Sequence, residues 1–339
     1  MKRIPPFFLI LSIVSCVQDL EYDISDADKI PVINALWSAS DMEHAVYICQ
    51  SGAYKVEEVD DDINVCCHVN DSVKAETDAF ETVTSRSGAT FRKYTLSVRL
   101  EEGDDVELFV KMPDREMRAK SVVPQAPRVR LDTVSVDKSF RDINGRASHI
   151  VRDYTVTLSL EDFPGERSYF RFHAPSLHVE SHDIKTDTLI AQKDIDYIEF
   201  DENDPVFKNV PIHFPDEIMR ELPFLGASVS NSSHVFSDEL FEDGTYSFVI
   251  PIQESRYIPA TTGTGEYVTY QARFRLAALS KDEYAYLLAA NAVNSIFLDP
   301  MAEPITMPSN VENGIGVFSI NYSFDKTIRL EDQLWPWPY

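Results

Sequence analysis

The chain has 339 residues, 44% hydrophobic and 11% aromatic, enough apolar material for two domains with cores of their own. Its 56 acidic residues outnumber 31 basic ones, and the formal net charge of −25 describes a surface that repels nucleic acid and anionic lipid headgroups. Cationic partners, divalent ions or plain colloidal stability suit such a surface.

A basic pair, Lys2 and Arg3, precedes an apolar run from Phe7 to Val14 that is too short to span a bilayer. Ser15 and Cys16 follow, and Ile13-Val14-Ser15-Cys16 has the form of a bacterial lipobox. A dedicated peptidase cuts such a sequence before the cysteine, which then carries the lipid. Residues 1–16 therefore read as a lipoprotein signal peptide with Cys16 as the site of lipid attachment; a secretory signal cut elsewhere is the alternative. Residues 17–28 (VQDLEYDISDAD) are acidic and weakly patterned, as expected of a tether.

Short strands are expected next, at residues 29–36 (KIPVINAL), 44–49 (HAVYIC) and 63–69 (INVCCHV), while 73–81 is ambiguous. Residues 91–100 alternate cleanly, with Tyr94, Leu96, Val98 and Leu100 on one face, and 106–112 (VELFVKM) supplies a partner strand. Together these predict an immunoglobulin-like β-sandwich over residues 29–124. Pro124 and Pro127 cannot donate backbone hydrogen bonds and stiffen the chain, so a domain joint is placed near residue 125.

The remaining region, 125–339, reads as a larger antiparallel β-rich domain with one packed helix. Its expected strands are 129–136, 150–160, 168–174, 245–252, 267–278 and 317–324, with 235–241 as the lead-in to a hairpin. Residues 194–205 (DIDYIEFDENDP) are strongly acidic but lack the glycine and closing glutamate of an EF-hand loop, so a solvated loop is favoured over a calcium site. Ser280 and Glu283 fit a capping box, and Tyr284, Leu287, Leu288 and Asn291 recur at helical spacing, so a helix over 281–294 should cover a sheet. Asn313-Gly314 signals a turn, and the chain ends on an aromatic tail, 334–339 (LWPWPY).

Taken in order, the lipobox, KIPVINALWS, the linker VVPQAPRVRLDTVSV, YTVTLSLEDFPGERSYFRF, VFSDELFEDGTYSFVIPI, the helix RFRLAALSKDEYAYLLAANAVN and FLDPMAEPITMPSNVENGIGVF resemble a family of Bacteroidetes lipoproteins carrying a domain of unknown function, DUF4249. The resemblance covers nearly the whole mature chain. It implies an outer-membrane lipoprotein of a kind encoded beside TonB-dependent transporters, and it implies no catalytic residues. Asp19 and Glu21 resemble the acidic signals that send some lipoproteins of this phylum to the cell surface. The Cys66-Cys67 pair and the lack of a proline-rich early loop depart from the family pattern.

No GxSxG, HExxH, Walker or dinucleotide motif is present, and the eight histidines are spread along the chain, with His178 and His182 close but in a segment that gives no metal geometry. Catalytic, cofactor and metal residues are accordingly expected to be absent. If Cys16 is lipidated, Cys49, Cys66 and Cys67 remain, and at most one of the vicinal pair faces Cys49; one disulfide or three buried thiols are the alternatives. Two functions stay open. One is a non-catalytic envelope module anchored to the membrane at Cys16 and bound to an outer-membrane transporter or surface assembly, with a patch that includes Leu334, Trp335, Trp337 or Tyr339. The other is a carbohydrate-binding or carbohydrate-active lipoprotein with an aromatic-lined groove.

Overall fold

The computed structural model describes residues 29–51, 56–57, 59, 62–85, 88–143, 147–163, 165, 167–183, 185–195, 204–208, 230–241, 244–258, 266–296 and 307–330. Nine strands precede the proline joint: β1 (Pro31–Ser38), β2 (Glu43–Ser51), β3 (Val56–Glu57), β4 (Asn64–Val69), β5 (Ser72–Thr77), β6 (Phe80–Thr84), β7 (Thr90–Ser97), β8 (Asp105–Lys111) and β9 (Glu116–Val122). After it come β10 (Arg128–Ile143), β11 (Ala147–Glu161), β12 (Tyr169–Asp183), β13 (Leu189–Ile195), the short helix α1 (Pro205–Lys208), β14 (Val235–Ser237), β15 (Thr245–Ile258), β16 (Glu266–Leu279), helix α2 (Lys281–Ile296), β17 (Val311–Glu312) and β18 (Ile315–Arg329). The fold is mainly β, sandwich-like, with one packed helix, as the alternating sequence pattern predicts.

One long sheet runs through the described molecule in the order β13-β12-β16-β18-β1-β2-β7-β6, with β14 on β12 and β3 on β2. Two smaller sheets face it: β17-β9-β8-β4-β5 and β10-β11-β15. Each encloses a core. The first joins Ile33, Ala35 and Trp37 of β1 and Tyr94 and Leu96 of β7 to Val65 and Cys67 of β4 and Val106, Leu108 and Val110 of β8. The second packs Tyr154, Val156 and Leu158 of β11 and Phe248 and Ile250 of β15 against Phe170 and Phe172 of β12 and Phe274 of β16. Period-2 alternation explains both, because every second side chain of a strand meets the facing sheet. Trp37 anchors the first core, its Nε1 donating to Ala45 O at 2.9 Å and its ring edge-on to Phe318 at 5.0 Å.

The chain leaves the first core at the proline joint and returns to it near its end. Val311, Phe318 and Ile320 belong to that core, β17 pairs with β9, and β18 lies parallel to β1 from Val32↔Ile315 to Ser38↔Asn321. The ambiguous 73–81 stretch is two strands in different sheets: β5 pairs with β4, and β6 with β7. Besides the two-residue β3 and β17, two strands escape the sequence reading. β9 buries small or flexible residues (Met117, Ala119, Ser121), and β13 is exposed along its whole length, so neither carries a strong apolar alternation.

Candidate functional site

Helix α2 lies over the outer face of the long sheet, and the seam beneath it is polar. Ser280 Oγ accepts the Glu283 N–H at 3.2 Å, which is one half of the predicted capping box. The other half is absent: the Glu283 side chain turns inward, is 2% exposed, and accepts from Ser319 Oγ at 2.6 Å and Asn321 Nδ2 at 3.3 Å on β18. Burial holds its carboxyl above the usual carboxylate range, with Arg171 a partial offset. The apolar stripe of the helix does pack as its spacing predicts, with Tyr284, Leu287 and Leu288 against Val235, Ala277 and Leu279. Tyr284 also stacks on Tyr169, ring centroids 4.6 Å apart.

Two turns further along, Asn291 is also 2% exposed. Its Oδ1 accepts from Ser232 Oγ, Ser233 N and Ser233 Oγ at 2.8–3.0 Å, and its Nδ2 donates to Asn231 Oδ1 at 3.1 Å. Asn231 in turn bonds both the N–H and the C=O of Val235. The network fixes the loop before β14 onto α2. Asn291→Ala would remove the shared acceptor of these part-buried donors, at a cost of about 2 kcal/mol. Hydrogen exchange at residues 231–235 should speed up in that variant, and unchanged exchange would refute the assignment.

His173, near the same seam on β12, is held neutral by burial and by Arg171 and Arg275, its pKa lowered to about 4. An unfolded histidine titrates near 6.5, so the native chain binds fewer protons between about 4 and 6.5. Stability from this group is complete above that window and lost as pH falls through it, by at most about 3 kcal/mol. His173→Gln should flatten the fall in thermal stability between pH 7 and pH 4; an unchanged slope would count against the assignment.

The motif SNVENGIGVF serves as a structural knot where sheets and helix meet. Asn310 Nδ2 donates to Phe318 O at 2.7 Å and to Asp282 Oδ2 at 3.0 Å, while its Oδ1 accepts Phe318 N–H at 2.9 Å. Asn313, at φ 60°, makes the turn and donates to Glu116 O at 3.0 Å. Ser309 Oγ accepts the Gly316 N–H at 3.1 Å.

Beside this knot a groove of about 960 Å³ opens between the proline joint (Val122, Pro124, Gln125), the approach to β12 (Phe163, Arg167, Tyr169) and the start of α2 (Lys281, Asp282). Its charges are largely answered locally, Arg167 pairing with Glu239 at 2.6 Å. Both rings are engaged on one side, Phe163 by the Arg128 guanidinium at 5.2 Å and Tyr169 by Tyr284.

His178 and His182, which sequence spacing leaves without geometry, form a row on β12 with Glu180 between them. Glu180 lies 3.2 Å from the Nε2 of each, and Asp194 of β13 lies 2.5 Å from His178 Nδ1. The two carboxylates raise the His178 pKa, and the histidines lower that of Glu180. The signal was the alternation in LHVESH, which puts His178, Glu180 and His182 on one face. The row runs along the strand: among the described residues no three His, Cys, Asp or Glu side chains are placed to hold a metal ion.

Cys49, Cys66 and Cys67 are buried free thiols, so of the two alternatives the structure adopts the one without a disulfide. Burial pushes Cys49 up to about 11 and Cys67 up to about 12, far from thiolate chemistry. Of the acidic 194–205 stretch, Asp194 and Ile195 close β13, and Asp204 accepts the Val206 N–H at 3.0 Å and the Tyr246 hydroxyl, capping α1. Residues 196–203 lie outside the described residues, as do Cys16, Leu334, Trp335, Trp337 and Tyr339. Among the described residues no helix is long and apolar enough to cross a membrane.

No curated protein matches the chain. A family model does, described as Domain of unknown function (DUF4249), over residues 17–327. A match over most of the chain identifies it as a member of the DUF4249 family.

Proposed function

We propose that this chain is a Bacteroidetes cell-envelope lipoprotein, anchored through Cys16 to the outer membrane, that works without catalysis as a binding component of an outer-membrane assembly such as a transporter. The observation that carries the reading is the uncovered part of the face on which α2 packs. Leu36, Tyr47 and Ile315 share that face on β1, β2 and β18 and are 46%, 37% and 40% exposed. Exposed apolar side chains on one sheet face beside a packed helix suit a protein partner. The family match begins directly after Cys16, which agrees with maturation there.

Co-purification from native membranes tests the reading. A transporter recovered reproducibly with the wild-type chain, and release of the chain itself from the membrane fraction with Cys16→Ser, are the expected results. A solitary protein that retains glycan would overturn it in favour of a carbohydrate-binding or carbohydrate-active lipoprotein, the second reading. The groove lined by Phe163 and Tyr169 with Gln125, Arg167 and Asp282 is the observation that supports this second reading.

A further inference from the structure

On the interior strands of the long sheet, one row of side chains carries an arginine that has no partner among the described residues. β12, β16 and β18 are neighbours in that sheet, and their registers set Ser176, Arg273 and Thr327 side by side. Ala272 and Phe274 of β16 belong to the second core, as do Leu177 and Ile328, which pair with Ala272 from either side. The row therefore points to the opposite face, the one that α2 covers further along at Ala277 and Leu279. Gln271 and Arg275 are the adjacent residues of β16 on that face. The acids there are already answered. Asp325 accepts from Arg275 at 2.8 Å, while Asp194 and Glu180 lie 2.5 and 3.2 Å from the ring nitrogens of His178. Arg273, Ser176, Thr327 and Gln271 differ: among the described residues their side chains make no hydrogen bond or ion pair, and Arg273 and Thr327 are exposed.

We propose that this row is a binding site for a sugar acid, with Arg273 anchoring the carboxylate and Ser176, Thr327 and Gln271 meeting the ring hydroxyls. A guanidinium offers a carboxylate two parallel N–H groups, which fixes its orientation as well as its charge. Hydroxyl and amide side chains both donate and accept, so they match a ligand whose own hydroxyls do the same. Charge narrows the class further. A net charge of −25 repels dense polyanions such as nucleic acid or an anionic membrane, whereas one surplus arginine answers one carboxylate. Three paired strands carry the row, so the backbone beneath it is already in place before the ligand arrives. The site shares no residue with the groove beside α2 or with the Leu36, Tyr47 and Ile315 surface, so a sugar acid and a protein partner can be held by one chain.

The purified full chain can be titrated with tetramers of galacturonate, glucuronate and mannuronate, with the methyl ester of each, and with inorganic phosphate. The expected result is that at least one free acid binds about tenfold tighter than its ester and shifts the amide resonances of residues 271–275 and 325–329. Arg273→Ala should weaken that binding about tenfold or more, and Arg273→Lys, which keeps the charge without the fork, about threefold. Both variants should keep the wild-type thermal stability, because the side chain is exposed. Lys326→Ala removes a charge from the other face of β18 and should leave the affinity unchanged. Equal binding of acid and ester, phosphate bound as tightly as any tetramer, an equal loss with Lys326→Ala, or no binding of any tetramer would each overturn the proposal. None of these outcomes bears on co-purification from membranes, which registers a protein partner at any surface.

Discussion

Gly316→Ala is expected to cost more than about 4 kcal/mol and to deplete the soluble folded protein. Gly316 sits at φ +121°, a region that L side chains rarely adopt, and it faces Ile33 across the parallel β1–β18 ladder. A Cβ there would lie 1.9 Å from Ile33 O and 2.8 Å from Ile33 C. Those atoms are backbone of a strand whose inward residues Ile33, Ala35 and Trp37 are fixed in the first core, so relief requires parting the two strands. The parallel pairing is also where the C-terminal strands join the N-terminal ones within the long sheet, so the damage is not local. Gly314→Ala offers a graded comparison. Its nearest neighbour would be Met117 Sδ at 2.7 Å, the far end of a flexible side chain, with Pro31 O at 3.1 Å, and a loss of about 1–2 kcal/mol is expected. Gly103→Ala, at φ +81° in open space, should lose about 1 kcal/mol. Urea unfolding of the three variants should rank them in that order, and a Gly316→Ala protein within 1 kcal/mol of wild type would refute the close-approach argument.

That glycine marks the limit of what the residues disclose by themselves. Alternation exposes the faces of β1, β7 and β11, because strand period and burial coincide when one face meets a core. It says nothing of which strands become neighbours, so the return of β18 to lie parallel to β1, almost three hundred residues away in sequence, has no local signature. β13 is hidden for a related reason: a strand exposed on both faces has no alternation to detect. Turn chemistry is legible at Asn313-Gly314 but does not announce that Gly316, two residues on, is the point of closest strand approach. The polar seam was half visible. Glu283, Leu287 and Asn291 are spaced four apart, so the stripe that buries Leu287 must bury its polar neighbours as well. The capping-box pattern gives Glu283 a local partner in the sequence, and the fold gives it a distant one.

Glu283 carries the second large effect. Glu283→Ala should destabilise the protein by about 3 kcal/mol, because it removes the acceptor for Ser319 Oγ and Asn321 Nδ2 and leaves a cavity under α2. It also takes the nearby countercharge from Arg171, whose own pKa is lowered by burial. Glu283→Gln keeps the shape and an acceptor oxygen, and here pH decides the sign. A carboxyl whose native pKa is raised binds its proton more tightly folded than unfolded, so wild-type stability from this group falls as pH rises from about 4.3 through the raised native value. Above that value the wild type holds a buried charge that glutamine does not. The amide variant should therefore be no better than wild type near pH 4 and gain on it as pH increases towards 8, with alanine below both throughout. Thermal unfolding of the three proteins across that range separates a buried carboxylate from an ordinary cap. A capping residue would give Glu283→Gln a small deficit at every pH, since the first turn of a helix favours the negative charge. A rising advantage for glutamine is what burial beneath α2 requires.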